Sequence, residues 1–397
     1  MMKARHGIAG VTSRAKLGPG TVLTDRGLLW RCALLAAWLI LCAFPDVIFL
    51  RASLSLASLV NVTADDGHKR VQLFPERKGR EAFEGFYDAG GGAFQSEPAA
   101  QFVRRSLQAG QSIYWNPYSA TGSYGPETLV DIKTSPITII TAMLNGGDLA
   151  SHVVFLAFNL LAVFCLLVLF TIEFRLSLVA ALGGGVTYLL NGYYVANLGS
   201  NVSQVWLYFP ILTLALVSFA RRPCAMKLVG ISCAAALILA TTFLPTMIIT
   251  LGTALLIGAA ASCGNSAARE RGLASISLAS ARLIAGQLAG VALALLSLAI
   301  LYLPIFEALE YMATDELYAA RKFYPATLFN LISLFTPKHA FEAYNAITPR
   351  AEQLRGNAAF HQGIIGALLA TQVIRTWPIL QRTVIGVALG TLLLLVA

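Results

Sequence analysis

Charged side chains are scarce in this chain of 397 residues, since Asp, Glu, Lys and Arg together make up only 12% of it. In soluble domains roughly a quarter of the residues are charged, whereas 57% of this chain is hydrophobic. Several apolar runs approach the roughly 20 residues that a helix needs to cross a bilayer. The composition therefore argues against a soluble domain and predicts an all-α polytopic membrane protein.

The motifs of several common enzyme classes are also missing. The sequence has no GxxxxGK[ST], HExxH, CxxC or GxSxG segment. Their absence argues against the commonest ATPase, zinc-protease and hydrolase chemistries. The six cysteines lie in apolar spans or in short loops that we predict to be cytoplasmic, so we expect no structural disulfide in the outer loops.

Positive charge is present, with a formal net charge of +9, but it is not gathered into one patch. The basic residues stand at the ends of apolar runs, which predicts a role in membrane topology and no nucleic-acid partner. Starting from a cytoplasmic amino terminus, the short loops predicted inside carry Arg or Lys, and the short outer loop Asn197–Asn201 carries none. The basic amino terminus precedes an apolar run that is too long for a signal peptide and lacks a cleavage site, so we predict a retained first helix.

The order of apolar and polar runs predicts a transmembrane bundle of about nine spans with two large outer loops. Pro45 is expected to loosen the end of the first helix, and Pro245 to divide one long apolar run into two helices. The predicted segments are a cytoplasmic amino terminus (1–27), a first transmembrane helix (28–50), a first outer loop with interfacial helices (51–136), transmembrane helices two to seven (137–305), a second outer loop (306–358) and two last transmembrane helices (359–397). The sequence stops at LLLLVA, an ending that fits either a complete protein or a fragment of a longer one.

One carboxylate, Asp46, stands near the far end of the first apolar run, Ala33–Arg51. An ionisable group at membrane depth is costly, so it is a functional-site hypothesis by default. The alternative is that Asp46 only caps the helix or reaches the headgroup layer from its end.

Four features in this order carry a family resemblance: the acidic residue after the first helix, YWNPYSATGSYGP at 114–126, DIKTSP at 131–136 and GNAAFHQGIIGALLATQVI at 356–374. Together they resemble the YfhO-like branch of the GT-C superfamily of membrane glycosyltransferases that use polyprenyl-phosphate sugars. The resemblance implies a GT-C-like transmembrane bundle. It also implies transfer of a sugar from a polyprenyl phosphate to a lipid, glycan or protein acceptor at the outer face of the cytoplasmic membrane.

In that superfamily a carboxylate near the end of the first helix is the catalytic base or orients the acceptor, and Asp46 is the matching position. The donor already carries a good leaving group, so the enzyme has mainly to activate an acceptor hydroxyl and stabilise the departing phosphate. Lys133 resembles the lysine that precedes a proline-containing re-entry into the membrane in some relatives. Its alternative role is topological, with the ammonium in the headgroup layer.

Each further candidate for phosphate or substrate binding also has an alternative role unrelated to catalysis. Additional phosphate contacts are Arg104, Arg105 and Arg321, for which a solvated charged face is the alternative. The aromatic side chains of segment 114–126 can stack on a sugar ring, or they can anchor the loop at the membrane interface. The two outer-loop histidines can transfer a proton or contact a phosphate, or they can have a structural role. The substrate-binding candidates are Trp115, Asn116, Tyr118, Tyr124, His339 and His361.

No cofactor is required by these motifs, although a divalent cation, Mg or Mn, is an option. Asp65 and Asp66 form an acidic pair that can bind such an ion together with a phosphate. The main rival function is a membrane transporter or a lipid-handling or scaffold protein. The spans hold almost no ionisable residues, the halves show no symmetry and the polar residues concentrate in two outer loops, which favours a site at the membrane surface over a transport path.

Overall fold

The computed structural model describes residues 21–50, 63–65, 70–72, 97–116, 134–144, 148–191, 194, 201–241, 244–269 and 278–309. This part of the chain is predominantly helical, as the composition predicts. The helices are α1 (Thr21–Ala43), α2 (Pro45–Phe49), α3 (Glu97–Gln108), α4 (Pro136–Met143), α5 (Asp148–Val168), α6 (Leu178–Leu189), α7 (Asn201–Arg221), α8 (Ala225–Leu239), α9 (Leu244–Arg269) and α10 (Leu278–Leu309). A π-helical turn, Leu169–Glu173, continues α5.

One small element departs from an all-α fold. Strands β1 (Thr63–Asp65) and β2 (Arg70–Gln72) pair in antiparallel register, with Asp65 opposite Arg70.

Among the described residues, five helical segments are long and apolar enough to cross a membrane. They are Arg26–Ala43, Leu149–Glu173, Ser203–Arg221, Thr246–Cys263 and Leu278–Leu303. Helices α6 and α8 are apolar but shorter, with 12 and 15 residues. These findings support a helical membrane protein, and the total of about nine spans stays a prediction.

The first helix ends earlier than the sequence predicts. The expected segment was 28–50, but α1 ends at Ala43 and a separate short helix, α2, begins at Pro45. Proline has no N–H to continue the helical ladder, and its ring clashes with the carbonyl four residues earlier. Phe44 leaves the helical conformation, with φ −128° and ψ 46°. Pro45 therefore breaks the helix where it was expected only to loosen it.

The break in the long run 228–261 is confirmed. Helix α8 ends at Leu239 and α9 begins at Leu244, so that Pro245 lies in the first turn of the second helix. A proline is tolerated at this position because the first N–H groups of a helix have no intrahelical partner.

The long helices run up and down, so that their ends gather into two groups. Side-chain contacts show which helix ends lie together in the first group. Cys32 Sγ in α1 lies 3.5 Å from Thr171 Oγ1 after α5, and Arg221 at the end of α7 pairs with Glu173. We call this the basic end, defined by Arg31, Arg175, Arg221, Arg222, Lys227 and Arg282.

The opposite group is the polar end, where α1, α6, α8 and α10 finish and α5, α7 and α9 begin. Phe44 meets Phe155 of α5 edge to face, with ring centroids 6.3 Å apart. Tyr302 of α10 donates a hydrogen bond to the carbonyl of Leu239 at the end of α8. Helices α3 and α4 are attached at this polar end, since Thr134, just before α4, bonds to the carbonyl of Ala240 and α3 packs on α4.

Glycines let the helices approach closely at several crossings. A Cβ on Gly185 of α6 would lie 2.9 Å from Leu39 of α1, and one on Gly184 would overlap the Phe170 ring. The absence of side chains at Gly184 and Gly185 therefore allows α6 to pack closely on α1 and on the π-helical turn after α5. Helix α10 has a second such pair four residues apart, because a Cβ on Gly286 would meet Phe219 at 2.8 Å and one on Gly290 would meet Ile231 at 2.7 Å.

One amide holds three helices together inside the bundle. Gln287 of α10 is buried, and its Nε2 lies 3.1 Å from the carbonyl oxygen of Leu216 in α7 and 3.2 Å from that of Gly258 in α9. Ser262 Oγ is 3.3 Å from the same nitrogen. In lipid such interhelical bonds stabilise packing that apolar burial alone does not drive.

Candidate functional site

Asp46 lies in the first turn of α2, directly after the break at the end of α1. Its side chain is exposed, and its carbonyl oxygen accepts a hydrogen bond from the Leu50 N–H at 3.1 Å. Val47 and Ile48 pack on the main core. A carboxylate is favourable in the first turn of a helix, where N–H groups have no intrahelical partner. The short helix therefore holds an accessible carboxylate at the polar end of the bundle.

Helix α3 presents two candidate phosphate-binding residues on a firmly packed support. Phe102 and Val103 of α3 form a small buried cluster with Ala142 of α4. Arg104 is partly buried and Arg105 is exposed. The apolar face of this amphipathic helix thus rests on α4, and Arg105 faces outward at the polar end.

The segment after α3 carries the candidate sugar platform. Gly110 adopts a left-handed φ of 65°, a conformation that glycine takes without a steric penalty, and the chain turns there. The Tyr114 hydroxyl donates to the carbonyl of Leu301 in α10 at 3.1 Å, which ties the segment to the bundle. Trp115 is 45% exposed and Asn116 is partly buried, so the indole is open to a ligand or to the headgroup layer.

Two buried hydrogen bonds hold α4 against the bundle, and the sequence did not predict either of them. Ser135, the N-cap residue of α4, donates from its hydroxyl to Gln204 Oε1 of α7. Thr134 Oγ1 donates to the carbonyl of Ala240 at 2.6 Å. The signal was a serine directly before a proline that opens a helix. The DIKTSP segment is thus partly structural, because its Thr and Ser join α4 to two other helices.

A second set of buried polar groups lies between α5, α6 and α7. The Tyr194 hydroxyl donates to Asn159 Oδ1 at 2.7 Å, and the Asn159 amide nitrogen donates to the carbonyl of Phe155 at 3.0 Å. The Tyr188 ring stacks on Trp206 with centroids 5.5 Å apart. Asn159, an amide within a long apolar run, was the available signal. Asn159 and Tyr194 satisfy each other, which indicates a structural role for this pair, whereas Trp206 Nε1 is buried with no hydrogen-bond partner among the described residues.

The candidate residues divide into those that the structure describes and those that it does not. Asp46, Arg104, Arg105, Trp115 and Asn116 all lie at the polar end, on two separate supports, α2 and the α3–α4 pair. Asp65 lies in β1. The other candidates lie outside the described residues; they are Lys133, Arg321, Tyr118, Tyr124, His339, His361 and Asp66.

No group of three or more His, Cys, Asp or Glu side chains with the geometry of a metal site occurs in the described ranges. No protein-family model, no curated protein and no solved structure matches this chain.

Proposed function

We propose that this chain is a membrane glycosyltransferase of the GT-C type, which transfers a sugar from a polyprenyl phosphate to a lipid, glycan or protein acceptor. The observation that carries the proposal is the exposed Asp46 carboxylate at the end of the first membrane-capable helix. The arginines of α3 and the indole of Trp115 lie at the same end of the bundle. An accessible carboxylate, cations and an open aromatic ring are the groups that this transfer requires.

In the proposed reaction, Asp46 accepts the proton of an acceptor hydroxyl as that oxygen bonds to the anomeric carbon. The bond from the anomeric carbon to the phosphate oxygen breaks, and the phosphate leaves with the electron pair. Arg104, Arg105 and Lys133 offset the charge that develops on the phosphate. Trp115 and Asn116 contact the sugar through stacking and hydrogen bonding.

The remaining candidates belong to the same proposal without described geometry. They are Arg321 for the phosphate, Tyr118, Tyr124, His339 and His361 for the substrates, and Asp65 with Asp66 for an optional Mg or Mn ion. No step above depends on the metal.

The proposed orientation puts the polar end at the outer face of the cytoplasmic membrane and the amino terminus inside. The basic end supports it, because short cytoplasmic loops are enriched in Lys and Arg. The test uses Cys224, which is exposed at the basic end, and a Gln111→Cys variant at the polar end, each as the only cysteine in the chain. An impermeant maleimide applied to intact spheroplasts should label position 111 and should reach Cys224 only after the membrane is opened. The reverse pattern would refute the orientation.

Catalysis is tested by transfer of labelled sugar from a panel of polyprenyl-phosphate sugars to membrane extract. Removing a general base typically costs about 10²- to 10⁴-fold in rate, and Asp46→Asn should show a loss of this order at matched expression. Leu50→Ala is the matched control, since Leu50 is exposed just after the same short helix. Because both side chains are exposed, neither variant should change the thermal melting temperature.

Three other outcomes would each contradict part of the proposal. Transfer that persists in Asp46→Asn would remove this residue as the base. A lowered melting temperature in that variant would give Asp46 a structural role. No transfer by the wild-type chain with any donor would favour the transporter, lipid-handling or scaffold alternative.

A further inference from the structure

The basic end carries arginines that face outward. Arg31, Arg175, Arg222 and Arg282 are all exposed. Within the described part of the chain, none of these four guanidinium groups pairs with a carboxylate. Their exposed positions direct this charge away from the described core of the bundle.

Two other cations at this end are directed inward and differ from those four. Arg221 pairs with Glu173, with Nε 2.9 Å from Oε2, and donates to the carbonyl of Ile172 at 3.1 Å. Lys227 Nζ donates to the carbonyl of Ser218 at 2.6 Å. Both stabilise helix ends, because Lys and Arg interact favourably with carbonyls in the last turn of a helix.

Large exposed apolar side chains lie close in sequence to the outward arginines. Trp30 precedes Arg31 and is 72% exposed, and Met226, four residues after Arg222, is 78% exposed. Val179 and Leu278, each four residues from Arg175 or Arg282, are 80% and 68% exposed. We call these four arginines and their apolar neighbours the basic rim.

The mixed character of the basic rim identifies its partner. A nucleic acid or an acidic soluble protein would pair with the arginines but would leave the apolar side chains without a matching surface. At the boundary between headgroups and acyl chains, the arginines and the apolar side chains both find a matching environment, since Trp and long cationic side chains are stable there. Guanidinium groups also bind phosphate through paired N–H donors.

We propose that the basic rim binds the phosphate groups of anionic phospholipids in the membrane leaflet that surrounds this end. The site is distinct from the proposed glycosyl-transfer site, which lies at the polar end. Its occupant is a lipid of the surrounding leaflet, held by charge at the headgroup and by apolar contact at the acyl chains.

The test measures lipid binding to the purified full chain by native mass spectrometry in neutral detergent. Phosphatidylglycerol and phosphatidylcholine with identical acyl chains are compared, so that only the headgroup charge differs. The wild type should retain phosphatidylglycerol preferentially. Because a basic residue near an anionic surface contributes about 1 kcal/mol, Arg222→Gln should weaken phosphatidylglycerol binding by about fivefold. Arg175→Gln and Arg282→Gln should each add to that loss.

Lys227→Gln is the matched control, because it removes one positive charge from the same end but from a side chain that is bonded inward. It should weaken the lipid preference much less than Arg222→Gln. The proposal is overturned if the wild type shows no headgroup preference, if the triple arginine variant keeps it, or if Lys227→Gln loses as much as Arg222→Gln. Should the triple variant fail to fold, the single variants decide by the same comparison.

Discussion

A single methyl group added at Gly290 should destabilise the bundle, although the same change at another helical glycine should not. Gly290 lies in α10, where a Cβ would be 2.7 Å from Ile231 Cγ2 and 3.0 Å from Ile231 Cβ in α8. The Leu228 side chain would lie 3.3 Å away. Because Ile is β-branched and its Cβ is fixed to the backbone, it has little freedom to move aside.

Two effects of opposite sign set the expected magnitude. Replacing glycine by alanine inside a helix is worth up to about 1 kcal/mol in favour of the helix. Overpacking a tight contact costs about 1–3 kcal/mol. Because the 2.7 Å approach is to a β-branched side chain, we expect an overpacking cost of about 2–3 kcal/mol, so that Gly290→Ala should come out destabilising by about 1–2 kcal/mol. The free energy of unfolding would be measured by titrating the purified chain from mild detergent into SDS.

Gly252→Ala in α9 is the control, since a Cβ there would meet no atom within 4 Å. It should leave the free energy of unfolding unchanged or raise it by up to about 1 kcal/mol. If Gly290→Ala proves as stable as Gly252→Ala, α8 and α10 do not pack closely at Gly290.

Three further substitutions test the polar contacts by the same unfolding measurement. Gln287→Met keeps the side-chain volume but loses the amide bonds to α7 and α9, and should cost about 1 kcal/mol; an unchanged midpoint would refute the role of that amide. Arg221→Gln should cost about 1–2 kcal/mol, allowing for its partial exposure, whereas Arg222→Gln at the neighbouring exposed position should stay within about 0.5 kcal/mol. Ser135→Ala leaves Gln204 Oε1 buried without its donor and should cost about 1–3 kcal/mol; stability equal to wild type would mean that α4 is not held there.

The sequence predicted helices well where apolar runs were long and ended at charge or proline. Helix α7 lies within the predicted block 137–305 and spans Asn201–Arg221; its apolar run is bounded by polar residues on one side and two arginines on the other. The end of α1 was wrong by about two turns. Hydropathy continues past Pro45 to Leu50, but the backbone hydrogen-bond ladder does not, and the ladder determines where a helix ends.

The candidate site was less predictable than the helices, for a physical reason. Asp46 stood out because a charge in an apolar run is unusual. The hydrogen-bond partners of Ser135 and Asn159 could not be recognised in the sequence. Gln204 is 69 residues from Ser135, and Tyr194 is 35 residues from Asn159. Such pairings depend on which helices become neighbours, and the period of apolar residues along one helix contains no information about that.

The two ends of the bundle should act independently, because the length of the helices separates them. Polar groups at membrane depth must find partners within the protein, and Gln287 and Asn159 have done so. Helix α5, with 21 residues, extends about 1.5 Å per residue, which puts the ends far beyond the roughly 7–10 Å within which substitutions couple. Combining Asp46→Asn with Arg222→Gln should therefore give additive losses, with sugar transfer falling as in the first variant alone and lipid preference as in the second. A transfer rate that depended on Arg222 would require the helices to convey a change along their length, and would contradict two separate sites.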